Sequence, residues 1–248
     1  MIKKLPSGWQ LFRDSLTGYR NHIWRYLLIV GLVIVPTQLI GLSATLSADA
    51  VISSYTTFAS LIMTVALIWA IVHYHGKPML LRQAYYDGSG ALLRFLIVSM
   101  FLGLLLIPAV LGASVYALGQ SPGGSTALAE QLVLGALGLA LAFPSFYWLV
   151  RFGLSLYRVI GSNDWPIASL RYARELTIGR FWAVAGRAVL LLVWVLLLMV
   201  IPTIVCIGLA MATKQAIFLS LLQLLASLII LPFVHLYGYR LFRVLEAA

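Results

Sequence analysis

The sequence predicts an all-α polytopic membrane bundle, and three observations support this fold class: composition, the lengths of the apolar stretches, and the one-sided placement of charge. Of the 248 residues, 62% are hydrophobic and only 10% are charged, whereas soluble domains have about 25% charged residues. The mean hydropathy is +1.00. A soluble fold of this length has too little interior to bury so much apolar surface, so lipid is the expected solvent.

Six stretches have the length that a transmembrane helix requires, which is about 20 mostly apolar residues. They are too long and too little alternating to be the strands of a membrane barrel, and lipid tolerates only helices or closed barrels. We place the six spans at residues 26–46, 55–74, 93–118, 128–150, 183–211 and 216–238.

Nearly all basic residues fall on one side of the membrane when the chain is divided into these six spans. Of the 17 lysines and arginines, all but Lys214 lie before the first span, in or beside the second and fourth connections, or after the sixth span. The positive-inside rule assigns such segments to the cytoplasm. We therefore expect a multi-pass protein with both termini cytoplasmic. The same rule accounts for the net charge of +10 without nucleic acid as a partner.

Prolines recur at corresponding places along the chain. Pro36, Pro108 and Pro202 each lie near the outer end of an odd-numbered span, and each such span follows an amphipathic segment that a proline opens. Repetition of this kind dictates architecture. We interpret the chain as one transmembrane domain, residues 1–248, built from three repeats of an interfacial helix and a two-span hairpin. The repeats cover about 5–76, 77–161 and 162–248.

Each of these prolines removes a backbone donor and bends a helix. Pro36, Pro108 and Pro202 therefore predict one structural event that occurs three times, a kink or a helix end near the outer surface. A functional hinge or an unwound binding site, as in some transporters, is the alternative. Pro144 and Pro232 predict further kinks in spans four and six.

The first amphipathic segment follows helix rules. Ser7 and Gln10 form an S-x-x-Q capping box. One face is predicted to carry the apolar side chains of Trp9, Phe12, Leu16, Tyr19 and Ile23.

The second and third amphipathic segments differ from the first. Gly88 and Gly90 predict a shorter helix followed by a turn. In the third segment Asp164 is a candidate N-cap before Pro166, and Arg171 is spaced to pair with Glu175. Its apolar face is predicted to consist of Trp165, Ala168, Tyr172 and Leu176.

Five arginines are candidates for contact with lipid headgroups or another anionic ligand. Arg171, Arg174 and Arg180 belong to the third amphipathic segment, where each basic residue attracts anionic lipid by about 1 kcal/mol. The alternative is that they only fix the topology. Arg151 and Arg187 lie at the inner ends of spans four and five. They either snorkel to the interface or line a cavity with Tyr147 and His235.

Residues for catalysis or metal binding are missing from the sequence pattern. None of the seven acidic residues lies at the centre of a span, and none pairs with another at helical spacing. Nucleophile motifs and phosphate-binding loops are absent. His73 and His75 form an H-x-H pair with no carboxylate nearby. We therefore expect no enzymatic activity, no cofactor and no metal site.

This layout resembles a known family. A tryptophan- and arginine-bearing N-terminal segment leads into a span that ends in VIVPTQLIG, and related stretches, LLLIPAVLG and VIPTIVCIG, recur over six spans. The pattern is similar to the bacterial six-span membrane domain attached to some glycerophosphodiester phosphodiesterases, and to its stand-alone relatives. The resemblance implies the bacterial inner membrane. These 248 residues contain no phosphodiesterase domain, so that activity is not implied.

The expected function follows from basic interfacial segments without catalytic groups. We expect a non-enzymatic inner-membrane protein that interacts with lipids, anionic ones included, or with a membrane partner such as a complex or a second copy of the chain. The alternative is a small transporter or a substrate-binding membrane subunit for a small molecule. An intramembrane enzyme is the third reading, and it requires a buried catalytic cluster.

Overall fold

The structure, a computed structural model, describes residues 6–43, 49–73, 80–118, 128–213 and 217–247. Within these ranges the chain is helical apart from short turns and has no strand, which confirms the all-α class. The helices are α1 (Gly8–Ser43), α2 (Asp49–His73), α3 (Leu81–Ser89), α4 (Leu92–Leu105), α5 (Ile107–Leu118), α6 (Leu128–Phe152), α7 (Ser155–Gly161), α8 (Pro166–Thr177), α9 (Phe181–Thr213) and α10 (Ile217–Glu246).

Several of these helices are long and apolar enough to cross a membrane, as a multi-pass membrane protein requires. In the described part of the chain there are four such segments, and a fifth if α3 and α4, which meet at a bend of 72°, form one span. The predicted first span falls in α1, but its last residues, 44–46, lie outside the described ranges. The four segments are Ser54–His73, Glu130–Gly161, Phe181–Thr213 and Leu224–Glu246.

The predicted third span is interrupted in the structure. α4 ends at Leu105 and α5 begins at Ile107, and the intervening Leu106 N–H donates to Gly103 O at 3.0 Å. Pro108 follows at once, and it has no N–H to continue the helical ladder. Of the two predicted outcomes at Pro108, a kink or a helix end, the structure has a helix end. Pro36, Pro144, Pro202 and Pro232 instead lie inside continuous helices.

The predicted capping box at the start of α1 is confirmed. Ser7 N–H donates to Gln10 Oε1 at 3.0 Å, and Gln10 N–H donates to Ser7 Oγ at 3.2 Å. The amphipathic segment and the first span form one helix, which is distorted at His22 (φ −127°, ψ 16°). This distortion lies between the two parts that the sequence distinguishes.

Ser7→Ala is expected to weaken the first turn of α1 by about 1 kcal/mol, because it leaves the Gln10 N–H without its acceptor. Amide hydrogen exchange of residues 8–11 measures this as faster exchange. Thr17→Ala is the control, because the Thr17 hydroxyl is exposed and bonds only to Arg13 O in its own helix. Equal protection of the first turn in both variants would contradict the role of the box.

The predicted apolar face of α1 is only partly buried in the bundle. Phe12 and Tyr19 are buried, whereas Trp9 and Leu16 are 54% and 49% exposed. Ser15 is buried on the core-facing side, and its hydroxyl donates to Leu11 O at 2.7 Å. A serine satisfied by its own helix tolerates burial, so a count of apolar residues does not identify the side that packs on the bundle.

α8 shows the same pattern. Trp165, predicted on the apolar face, is 78% exposed. Small residues are buried instead, and the Ser169 hydroxyl donates to Trp165 O at 3.2 Å while Thr177 donates to Arg174 O at 2.9 Å. Small side chains let α8 approach the bundle closely. The buried stripe of α8 consists of Pro166, Ser169, Ala173 and Thr177.

The glycine turn after α3 agrees with the prediction. α3 ends at Ser89 after nine residues, and α4 begins at Leu92. A Cβ at Gly88 would lie 3.3 Å from Ala66 Cα, so this glycine lets α3 pack on α2.

Burial is uneven along the helices. Many of the most deeply buried side chains lie in residues 11–30 of α1 and in the second halves of α2 and α10, among them Ile29, Leu67 and Tyr237. The most apolar window of α9, by contrast, is only 6% buried. Lipid is as apolar as leucine, so this exposure carries no hydrophobic penalty in a bilayer. One end of the bundle is thus a packed body, and much of the rest has large apolar side chains on its surface.

Candidate functional site

Hydrogen bonds hold together segments that are distant in the sequence at the packed end of the bundle. Arg94 Nη1 donates to Asn163 O at 2.5 Å, and the Tyr239 hydroxyl donates to Val72 O at 3.3 Å. The guanidinium of Arg187 donates to the carbonyl oxygen of Pro6. These contacts join the start of α1, the end of α2, the start of α4, the loop after α7, the start of α9 and the end of α10. We call this region the basic end.

An ion-pair cluster lies at the centre of the basic end. Arg158, on α7, has its Nε 2.6 Å from Asp164 Oδ2 and its Nη1 3.3 Å from Glu246 Oε1. Its guanidinium carbon lies 4.1 Å from the centroid of the Tyr172 ring, a cation–π contact. The Tyr172 hydroxyl donates to Glu246 Oε1 at 3.1 Å. These four residues form the Arg158 cluster, which connects α7, α8 and α10.

The Arg158 cluster was not predicted from the sequence, and Asp164 has a different role from the predicted one. The N-cap residue of α8 is Trp165, which makes no side-chain cap bond. Asp164 instead accepts from Arg158 and from Ser162 Oγ, the latter at 2.8 Å. Arg158 and Asp164 are six residues apart across a non-helical stretch, so no helical spacing rule relates them. Glu246 lies 88 residues from Arg158, and only the fold brings it close.

The cluster changes the acidity of its members that lie outside the candidate spans. Burial would raise the pKa of Asp164 and is the largest single effect. The hydrogen bonds from Ser162 and Arg158 and the positive charge of Arg158 together outweigh it, so the pKa of Asp164 is lowered. Burial, followed by the negative charge of Glu246, raises the pKa of Tyr172. Asp164 is therefore held in its charged form and Tyr172 in its neutral form, as hydrogen-bond donor.

The predicted arginines of α8 are on its outer surface. Arg171 and Arg174 are exposed and lie outside the buried stripe, and Arg180 lies in the turn between α8 and α9. Gly179 in that turn has φ +73°, a conformation that favours glycine. The predicted pair of Arg171 with Glu175 does not form: within the described chain neither residue makes an ion pair. The charged groups of Arg171 and Arg174 are thus accessible on the outer surface of α8.

Arg151 and Arg187 contact different parts of the bundle. The guanidinium carbon of Arg151 lies 5.0 Å from the centroid of the Tyr147 ring, which in turn contacts Phe181. Arg187 Nη1 donates to Ala183 O at 2.6 Å, and the Tyr237 hydroxyl donates to Arg187 O at 3.1 Å. Arg187 thus connects α9 with the segment before α1 and with α10.

Three of the candidates have buried nitrogen atoms that lack partners. Arg151 Nε, Arg187 Nε and His235 Nδ1 make no hydrogen bond within the described part of the chain. His235 lies beside Tyr157, with ring centroids 6.4 Å apart. None of these three residues lines the cavities described below.

Large apolar side chains accompany the exposed arginines of α8. Trp165, Ile167 and Trp182 are 78%, 74% and 76% exposed, and they flank Arg171 and Arg174 along the sequence. We call these five residues the α8 surface. Tryptophan and basic side chains on an exposed helix are typical of the membrane–water interface. The exposed tryptophan at the start of α9 is a further feature that the periodicity of the third segment did not indicate.

Several cavities open at the basic end, and two of them bear on the functional argument. One, of about 490 Å³, lies between the first half of α1, the end of α2 and the last turns of α10. The other, of about 400 Å³, lies between α2, α3, α4 and the loop after α7. Arg240 and Arg243 line the first cavity and Arg94 lines the second, so none of the five predicted arginines contributes to either.

The predicted histidine pair is only partly described. His73 stacks on Trp69 with ring centroids 4.7 Å apart, and its Nδ1 lies 3.1 Å from Trp69 O. His75 lies outside the described residues. Within the described ranges no group of three or more histidine, cysteine or acidic side chains is placed to hold a metal ion.

Comparisons of the chain with family models, with curated proteins and with solved structures found no match. The functional argument therefore rests on the basic end, the α8 surface and the two cavities.

Proposed function

We propose that this chain is a non-enzymatic, six-span protein of a bacterial inner membrane that binds membrane lipids through its basic end. The single observation that carries the proposal is the α8 surface, where two tryptophans and an isoleucine are exposed in the same short segment of the chain as the exposed Arg171 and Arg174. Apolar side chains enter the boundary between headgroups and acyl chains, while arginines attract anionic headgroups.

Three repeated units provide the proposed architecture. α1 packs on α2, α5 packs on α6, and α9 packs on α10, as three sequential hairpins would. The short helices α3 and α8 precede the second and third hairpins, as the first half of α1 precedes the first span. In this arrangement α4 and α5 together form span three, and α1 supplies span one. The likeness to the membrane domain found with some phosphodiesterases is part of this proposal.

Helix length supports the placement of the arginines outside the hydrocarbon. α9 has 33 residues and α10 has 30, which correspond to about 50 Å and about 45 Å at 1.5 Å per residue. The hydrocarbon core is about 30 Å thick. The excess projects at the basic end, so Arg187 and Arg240 lie near the interface or beyond it. By the positive-inside rule this end faces the cytoplasm, and both termini with it.

Neutralising the arginines of the third segment is expected to reduce bound anionic lipid. The triple variant R171Q/R174Q/R180Q loses three attractions of about 1 kcal/mol each. Native mass spectrometry of protein extracted in mild detergent should therefore give at least a tenfold lower ratio of bound phosphatidylglycerol to bound phosphatidylcholine than wild type, after exchange into an equal mixture of the two.

The matched control is R13Q/R20Q/R82Q, which removes three exposed arginines at the same end but leaves the α8 surface intact. It should keep the wild-type lipid ratio. An unchanged ratio in the α8 variant would refute lipid binding by this surface and assign its arginines to topology alone. Stoichiometric recovery of one protein or one small molecule in place of lipid would overturn the proposal in favour of a partner complex or a substrate-binding subunit.

A further inference from the structure

The cavity between α1 and α10 contains polar groups that nothing in the proposed lipid surface uses. It has a volume of about 490 Å³, and its lining includes Asp14, Asn21, His22, Tyr26 and Arg240. The distorted backbone of α1 at His22 forms part of its wall. Tyr26 is the first residue of the predicted first span, so the cavity lies where α1 passes from its amphipathic part into the proposed membrane.

Opposite charges line this cavity without pairing with each other. Within the described chain, neither Asp14 nor Arg240 makes a hydrogen bond or an ion pair. Arg243, which also lines the cavity, is held 3.1 Å from Glu246 in a neighbouring ion pair. One free cation and one free anion therefore remain for a ligand.

Gly18 fixes the position of the Arg240 guanidinium. A Cβ at Gly18 would collide with Arg240 Nη2, and Leu236 lies 3.6 Å from the same point. The guanidinium thus packs against α1 at Gly18, in the lining of the cavity. Any larger residue at position 18 would displace it. Asp14 is four residues before Gly18, one helical turn away on the same helix.

We infer that this cavity binds an aminoalkyl phosphate, with Arg240 on the phosphate and Asp14 on the ammonium group. Arginine presents a planar set of donors that matches phosphate oxygens, and Asn21 and His22 add polar groups beside it. A purely anionic ligand would meet the carboxylate of Asp14, whereas a zwitterion satisfies both charges. The headgroup of an ethanolamine phospholipid and soluble phosphoethanolamine share this chemistry.

The inference deepens the proposed lipid function and rests on it for the membrane source of the ligand, but it concerns a different surface. The α8 surface selects anionic headgroups by net charge. The α1–α10 cavity selects by the presence of an amine next to a phosphate. The two sites use no residue in common, so their tests are independent.

Lipid competition in native mass spectrometry tests the inference. Detergent-purified protein is exchanged into equal parts of phosphatidylethanolamine, phosphatidylcholine and phosphatidylglycerol, and bound lipids are counted. Wild type should retain phosphatidylethanolamine at least tenfold above phosphatidylcholine, because the quaternary amine cannot donate a hydrogen bond to Asp14. R240Q should remove this retention. D14N should also lower the ratio of bound phosphatidylethanolamine to bound phosphatidylcholine, because the ammonium group loses its anionic partner.

Gly18→Ala provides a variant that leaves both charged residues in place. It should reduce phosphatidylethanolamine retention as R240Q does, because the displaced side chain is flexible and the fold can accommodate the methyl group. R20Q is the control for charge on α1, and it should behave as wild type, as should the α8 triple variant. Retention that is unchanged in R240Q and in G18A, with normal thermal unfolding, would overturn the inference.

The source of the headgroup is decided in the same samples. Phosphoethanolamine is added at about 5 mM, and inorganic phosphate serves as the comparison. Displacement of the lipid by phosphoethanolamine would support the site and show that the soluble headgroup is sufficient for binding. Lipid that stays bound would support the site with the phospholipid as ligand. Equal retention of phosphatidylethanolamine and phosphatidylcholine by wild type would refute the site, whatever the α8 variant does to bound phosphatidylglycerol.

Discussion

Arg158→Gln is expected to lower the stability of the protein by about 2 kcal/mol, because it leaves Asp164 and Glu246 without their common cation. The side chains of Arg158, Asp164 and Glu246 are 27%, 32% and 19% exposed, which is intermediate between buried pairs and surface pairs. Breaking a buried pair costs about 3–5 kcal/mol, and a surface pair contributes about 1 kcal/mol or less. The contact with the Tyr172 ring adds to the loss.

Thermal unfolding in detergent measures this effect. For a chain of this size the apparent Tm should fall by about 4–8 °C. R171Q is the matched control, since it removes the same charge from an exposed position on α8 and should shift the Tm by no more than about 1 °C. Equal Tm values for the two variants would show that the Arg158 cluster does not stabilise the fold.

The Arg158 cluster also predicts how stability depends on pH. The pKa of Asp164 in the folded protein lies below its ordinary value of 3.8. Its contribution to stability is therefore complete above about pH 4 and is lost as the pH falls through the lower, folded pKa. R158Q removes two of the effects that lower this pKa, so its unfolding temperature should change less between pH 5 and pH 3 than that of wild type.

Local sequence rules predicted the parts of the fold that depend on neighbouring residues. The all-helical class follows from long apolar runs, the capping box from Ser7 and Gln10, and the end of α3 from Gly88 and Gly90. Each rule relates residues within one helical turn or within one span. The structure agrees with them at these positions.

Other parts depended on residues that only the fold brings together. Glu246 and Arg158 are far apart in the sequence, and so are Gly18 and Arg240. The sides of α1 and α8 that pack on the bundle were not predicted, for another reason. Ser15, Ser169 and Thr177 are fully buried, although a hydropathy pattern counts them as polar. Their hydroxyls bond to the preceding turn of the same helix, which removes the cost of burial.

Small residues also determine the contact between α5 and α6, and here the sequence was informative. The face formed by Gly135, Gly138 and Ala142 predicts close approach of another helix. In the structure, α5 supplies Gly112 to this contact. A Cβ at Gly138 would lie 2.8 Å from Gly112 O, and a Cβ at Gly112 would collide with Gly138 O. The two backbones are therefore in direct contact.

Gly112→Leu is expected to destabilise the α5–α6 hairpin by about 3 kcal/mol, the upper part of the range for overpacking. The atom that the new side chain meets is a backbone carbonyl oxygen, which cannot rotate away, so the helices must separate. The apparent Tm should fall by about 6–12 °C. Gly112→Ala, should Gly112→Leu fail to fold, is expected to show about half of this loss, because only the Cβ must be accommodated.

Gly208→Leu is the matched control for the α5–α6 contact. Gly208 lies inside α9, is exposed, and would have no atom within 4 Å of an added Cβ. Leucine has a higher helix propensity than glycine, by up to about 1 kcal/mol, so this variant should be as stable as wild type or slightly more stable. If Gly112→Leu and Gly208→Leu unfold at the same temperature, α5 and α6 are not in backbone contact, and the second hairpin of the proposed three-unit architecture loses its main packing support.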